Sequence, residues 1–209
     1  MKTRYWLAGI ASLATVVTVL AQRGAPNEGT ALQGPALRIE RNLEYTRIGG
    51  QALTLDLYAQ SRAAKPSAVV LWIHGTEPGM AANKAPTPAA ALVTPGYAVA
   101  SIDYRTGSAV TLNDQTADAK AAVRWLRDNA KTYNLDSAHI AAMGYGIGGE
   151  IATMLGTGGD AQAVVDLAGP MDKGAVNPIA RVTKDSAPTL ILHGTADTKV
   201  STWDSQRLV

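Results

Sequence analysis

Apolar and polar residues first fall into a regular pattern at Leu43. Leu43, Tyr45 and Ile48 lead into Gly49-Gly50, after which Leu53, Leu55 and Leu57 alternate with Thr54, Asp56 and Tyr58. A period of two marks a strand with one half-exposed face, and a Gly-Gly step between two such runs predicts a hairpin. The pattern then changes. Ala68-Val69-Val70-Leu71-Trp72-Ile73, inside Ser67–His74, is continuously apolar, and Tyr97–Tyr104, His139–Met143, Ala163–Leu167 and Thr189–Leu192 are similar. Runs of this kind belong to strands covered on both faces, which implies a parallel sheet between helical layers. From about Asp114 to Tyr133, Ala119, Ala122, Val123, Leu126 and Ala130 form one stripe, with Lys120, Arg124, Arg127, Asp128 and Lys131 opposite. That is a helix docked on a sheet, its charges an ordinary solvated face. No internal repeat interrupts the order. The expected class is α/β, doubly wound, with a mostly parallel sheet and an antiparallel beginning.

Composition narrows the picture without changing it. A chain of 209 residues suits one domain with a proper core. At 46% hydrophobic and 17% charged residues, disorder is not expected. A net charge of +2 without a basic run gives nucleic-acid binding nothing to rest on. Lys2 and Arg4 precede an apolar segment from Trp6 to Leu20, closed by the small-residue sequence Val19-Leu20-Ala21. This layout predicts a signal peptide over residues 1–21, too short in its apolar part for a stable membrane span, and hence a secreted or periplasmic chain. Residues 22–37 read as a flexible lead-in and residues 38–209 as the domain. The sequence has no cysteine, which excludes thiol catalysis and cysteine-ligated metal, and no two of its three histidines have ligand spacing. No metal and no cofactor are expected.

The chemistry concentrates at Gly144-Tyr145-Gly146-Ile147-Gly148-Gly149, between the apolar run Ile140–Met143 and the helix-like Glu150–Leu155. Strand, glycine corner, helix is the setting of a G-x-S-x-G nucleophile elbow. The flanking glycines are at 144 and 148, but the centre is Gly146, which has no side chain.

Four further segments belong with this one. They are Val70-Leu71-Trp72-Ile73-His74-Gly75, Gly96–Arg105, Asp118–Arg127, and Ile191-Leu192-His193-Gly194-Thr195-Ala196-Asp197. In this order the set resembles secreted esterases of the α/β-hydrolase superfamily, of the bacterial feruloyl-esterase-like and hormone-sensitive-lipase-like kind. The resemblance spans about Leu43 to the last residue. It implies carboxylic-ester hydrolysis, with Gly146 at the position of the missing nucleophile and Asp197 as a vestigial catalytic acid. It also implies oxyanion donors at Gly75, Thr76 and Ile147, and a small-molecule ester as partner. The catalytic histidine of such esterases lies downstream of the acid, whereas His74, His139 and His193 all precede Asp197 and are expected to be structural. A C-terminal strand and helix are likewise expected to be missing, which leaves Asp197 with nothing to orient. It also leaves Leu190–Leu192 on a bare sheet edge open to self-association. Glu77 stands where the family has glycine, its carboxylate facing either the site or solvent. The expected function is an impaired ester hydrolase; the alternatives are a non-catalytic module binding small or carbohydrate esters and a non-functional esterase fragment.

Overall fold

The computed structural model describes residues 36–76, 84, 88–171 and 176–208. The expected signal peptide, nearly all of the lead-in, and Glu77 lie outside the described residues. Every element below belongs to a unit running from Pro35 to Val209.

The first two strands form the expected hairpin. Strand β1 (Leu37–Ile48) pairs antiparallel with β2 (Gln51–Gln60) through a turn at Gly49 and Gly50. Strands β3 (Ser67–Ile73), β4 (Ala98–Ile102), β5 (Leu135–Tyr145), β6 (Ala163–Leu167) and β7 (Thr189–Leu192) are mutually parallel wherever they pair. The sheet order is β1-β2-β4-β3-β5-β6-β7, with β2 joining β4 antiparallel. It is a mixed sheet of seven strands, mostly parallel with an antiparallel start.

Helices fill the crossovers. Helix α1 (Leu112–Asp128) is followed by the short α2 (Ala130–Tyr133), α3 (Ile147–Thr157) leaves β5, and α4 (Thr202–Gln206) follows β7. Period-two alternation divides the strand side chains between two layers. Val69, Leu71 and Ile73 join one apolar cluster with Ala119, Val123 and Leu126 of α1 and Ile151 and Leu155 of α3. Val70 and Trp72, equally buried, face away from that cluster. A 3-10 helix, Pro88–Val93, packs against β2 and β4. Burial on both faces is why these strands read as unbroken apolar runs.

Element ends depart from the sequence pattern for local reasons. α1 begins at Leu112 because Thr111 and Asp114 form a capping box. It ends at Asp128, short of the expected Tyr133, because Asn129 leaves helical geometry and its Nδ2 donates to Trp125 O at 2.9 Å. β1 starts six residues before Leu43, its register slipping between Glu40 and Leu43 and between Glu44 and Thr46. Among the described residues no helix is long and apolar enough to cross a membrane.

Candidate active site

Gly146 stands at the corner between β5 and α3 with φ 56° and ψ −126°. This left-handed region is costly for a residue with a Cβ and open to glycine. The corner is held from outside: Gly146 N–H donates to Leu167 O at the end of β6 (2.9 Å), while Gly146 O accepts from Gly149 N–H (2.9 Å). Its flanking glycines serve close approach. A Cβ on Gly148 would lie 2.1 Å from Ile73 O and 2.6 Å from His74 O. A Cβ on Gly144 would lie 2.1 Å from Gly148 O. The first turn of α3 is therefore pressed onto the carboxyl end of β3.

That contact sets the end of β3, just before Gly75 and Thr76, against the turn that Ile147 opens. Ile73 and Gly144 are register partners, so Gly75, buried just beyond β3, lies beside the corner that Ile147 opens. Thr76 is exposed. His74 is buried and stacks on Tyr104 with centroids 4.5 Å apart. Its Nδ1 approaches Gly75 O at 2.8 Å, and Tyr104 Oη donates to His74 O at 2.7 Å. The ring braces the loop at Gly75. His139 lies in the first half of β5, paired with Asp136 at 2.7 Å, at the far end of that strand from the elbow.

Asp197 follows β7 on the same edge of the sheet as the elbow, since Tyr145 registers with Leu167 and Leu167 with Leu192. Its Oδ1 accepts from Lys199 N–H (2.8 Å) and Val200 N–H (3.0 Å). These two amides, Val200 first, hold the carboxyl below the ordinary aspartate range, assisted by the nearby charges of His193 and Lys199. Its Oδ2 lies 3.6 Å from His193 Nε2. The side chain of His193 is 6% exposed. Its Nδ1 is 2.7 Å from Ser205 Oγ and its Nε2 3.1 Å from Val200 O.

Three further polar features lie at strand ends and connections of the sheet. Asp166, on β6, is fully buried, and a Cβ on Gly149 would stand 2.1 Å from its Oδ1. Desolvation pushes its carboxyl up to about 7, opposed by the Gly169 N–H that donates to Oδ1. Among the described residues its Oδ2 has no hydrogen-bond partner. Lys84 ties the connection after β3 to the hairpin: Nζ meets Asp56 Oδ1 at 3.0 Å, Thr54 Oγ1 at 2.9 Å and Asn42 Oδ1, while its backbone N–H donates to Asp103 Oδ1 at 3.1 Å. Arg105, leaving β4, grips buried Asp118 of α1 (Nη2 to Oδ1 2.8 Å). A carboxylate beside the apolar stripe of α1 was the one signal for such a clamp.

Comparison with known proteins adds the family. The model of the BD-FAE family matches residues 55–174. Among curated proteins, the non-reducing polyketide synthase Preu6 of Preussia isomera is 31% identical over 126 residues, covering 56% of this chain. The chain spans only 6% of that relative's length. Among solved structures, a truncated carbohydrate esterase from gut microbiota superposes with a TM-score of 0.68 at 23% identity, covering 87% of this chain and 85% of that one. A thermophilic esterase from the planctomycete Thermogutta terrifontis, with propionate bound, gives 0.70 at 20% identity, covering 88% and 81%. An alpha/beta hydrolase from a Medee basin deep-sea metagenome library gives 0.68 at 20% identity, covering 84% and 75%. These likenesses establish the α/β-hydrolase fold.

Proposed function

Because this chain belongs to the BD-FAE family and has the α/β-hydrolase fold of esterases, we propose that it is a carboxylic-ester hydrolase by descent whose catalysis is impaired. The observation that carries the reading is Gly146. It has the strained dihedrals of a nucleophile elbow, φ 56° and ψ −126°, and offers no hydroxyl. Ester hydrolysis on this scaffold needs an oxygen nucleophile, a histidine base, a carboxylate to hold the base, and amide donors for the oxyanion. Of these, Asp197 is the candidate acid and Gly75, Thr76 and Ile147 are the candidate donors, while position 146 offers no nucleophile.

The histidines support the same reading. His139 sits far along β5 from the elbow and pairs with Asp136. Both nitrogens of His193 face Ser205 and Val200. His74 is stacked on Tyr104. In a related triad, loss of the serine alone lowers turnover on the order of a million-fold, so little measurable activity is expected. The Lys2, Arg4 and Trp6–Leu20 pattern supports export of the chain, which would put such an ester outside the cytoplasm.

The purified chain should hydrolyse p-nitrophenyl acetate no faster than an unfolded control. Turnover that titrates one-to-one with a serine-directed phosphonate would overturn the reading. Saturable binding of a small ester without turnover would instead identify the chain as a binding module using the old acyl site.

A further inference from the structure

The bonds around His193 fix its ring more tightly than the sequence suggests. Val200 O can only accept, so at 3.1 Å it requires a hydrogen on His193 Nε2. In the neutral ring Nδ1 then carries a lone pair, and Ser205 Oγ, 2.7 Å away, is the donor to it. One imidazole thus joins the end of β7, the loop through Val200, and helix α4. The same Nε2 lies 3.6 Å from Asp197 Oδ2. Asp197 Oδ1 is occupied by the amides of Lys199 and Val200, so Oδ2 is the oxygen left to meet a base.

We propose that His193 is the positioning residue of the acid loop: locked as the Nε2–H tautomer between Ser205 and Val200, it holds the segment whose amide grips Asp197 Oδ1 and stands 3.6 Å from Oδ2. This rests on the reading of Asp197 as the acid of the esterase site. The role is local and electrostatic. The ring packs beside the loop that carries the carboxylate, keeps its N–H against Val200 O, and adds a positive charge beside Oδ2 whenever it is protonated. His193 and Lys199 are the charged or titratable groups that act on Asp197.

Nuclear magnetic resonance on the intact chain tests this without substrate. In wild type, long-range ¹H–¹⁵N spectra should show His193 protonated at Nε2 and accepting at Nδ1. His193→Gln keeps a donor for Val200 O and an acceptor for Ser205 but loses the charge. The Asp197 carboxyl, followed by ¹³C, should therefore titrate at higher pH in that variant. A scaffold role alone would leave the titration where it is. A His193 Nδ1–H tautomer, or an unchanged Asp197 midpoint in folded His193→Gln, would overturn the proposal. If His193→Gln does not fold, Ser205→Ala decides. It should shift the His193 Nδ1 resonance and speed hydrogen exchange at the Val200 amide, and no change in either would again overturn it. Failure of the underlying reading has a separate signature: one-to-one labelling by a serine-directed phosphonate would overturn the proposed function and leave the measured His193–Asp197 coupling in place.

Discussion

Restoring a hydroxyl at position 146 separates geometry from chemistry. Gly146→Ser places a Cβ at φ 56°, which costs about 1–3 kcal/mol of backbone strain. Urea denaturation should show a loss of that size. Activity should not return, because a serine without a base is almost fully protonated at neutral pH. If p-nitrophenyl acetate were turned over by this variant, one of His74, His139 and His193 would have to serve as base, and mutating each would find it. Asp166 gives a residue-scale prediction of opposite character. Its carboxyl is raised in the folded chain to about 7 from an ordinary 3.8, so the folded state favours the neutral acid. The associated stability is complete below about pH 4 and is lost as pH rises through about 7. The shift corresponds to on the order of 4 kcal/mol. Asp166→Asn keeps an acceptor for Gly169 N–H and cannot ionise, so melting temperatures of the variant should fall less than wild type between pH 4 and 8. Parallel curves would mean that Asp166 does not titrate in this window.

At the scale of elements, the contact of α3 with β3 admits the least change. Gly148→Ala would place a methyl carbon 2.1 Å from a backbone oxygen, Ile73 O, and neither element has a flexible side chain there to yield. Overpacking of this kind costs about 1–3 kcal/mol or displaces the helix. A melting temperature below that of wild type is expected, and a neutral result would show that α3 can slide. The same elements show what the sequence exposed and what it hid. The inner strands were legible because burial on both faces leaves unbroken apolar runs, as in Val69–Ile73. The elbow was legible because its glycines act across four residues. The beginning of β1 was not, because Arg38, Glu40 and Arg41 hide the alternation and pairing with β2 supplies the strand. The end of α1 depends on one side-chain bond from Asn129 to Trp125. The setting of Asp197 was least legible of all, since Ser205 reaches His193 only after the chain returns through α4, and no local spacing encodes that return.

For the whole molecule, the two outer strands of the sheet carry opposite risks. β1 is long, twice shifted in register and studded with Arg38, Glu40, Arg41, Glu44 and Arg47, features that discourage a second sheet from docking. β7 is four residues without charge, and Leu190, Ile191 and Leu192 are half-buried on it. Light scattering at micromolar concentration should therefore detect self-association; a monomer with a sharp cooperative melt would mean that the β7 edge is covered. The asymmetry of the edges also limits how far association can run. A chain with two adhesive edges stacks head to tail without end, but a chain with one can meet only the same edge of another copy. Identical edges pair about a twofold axis, and the contact is used up once made. Sedimentation should accordingly find pairs rather than a ladder of sizes, with β1 as the blunt outer face on both sides.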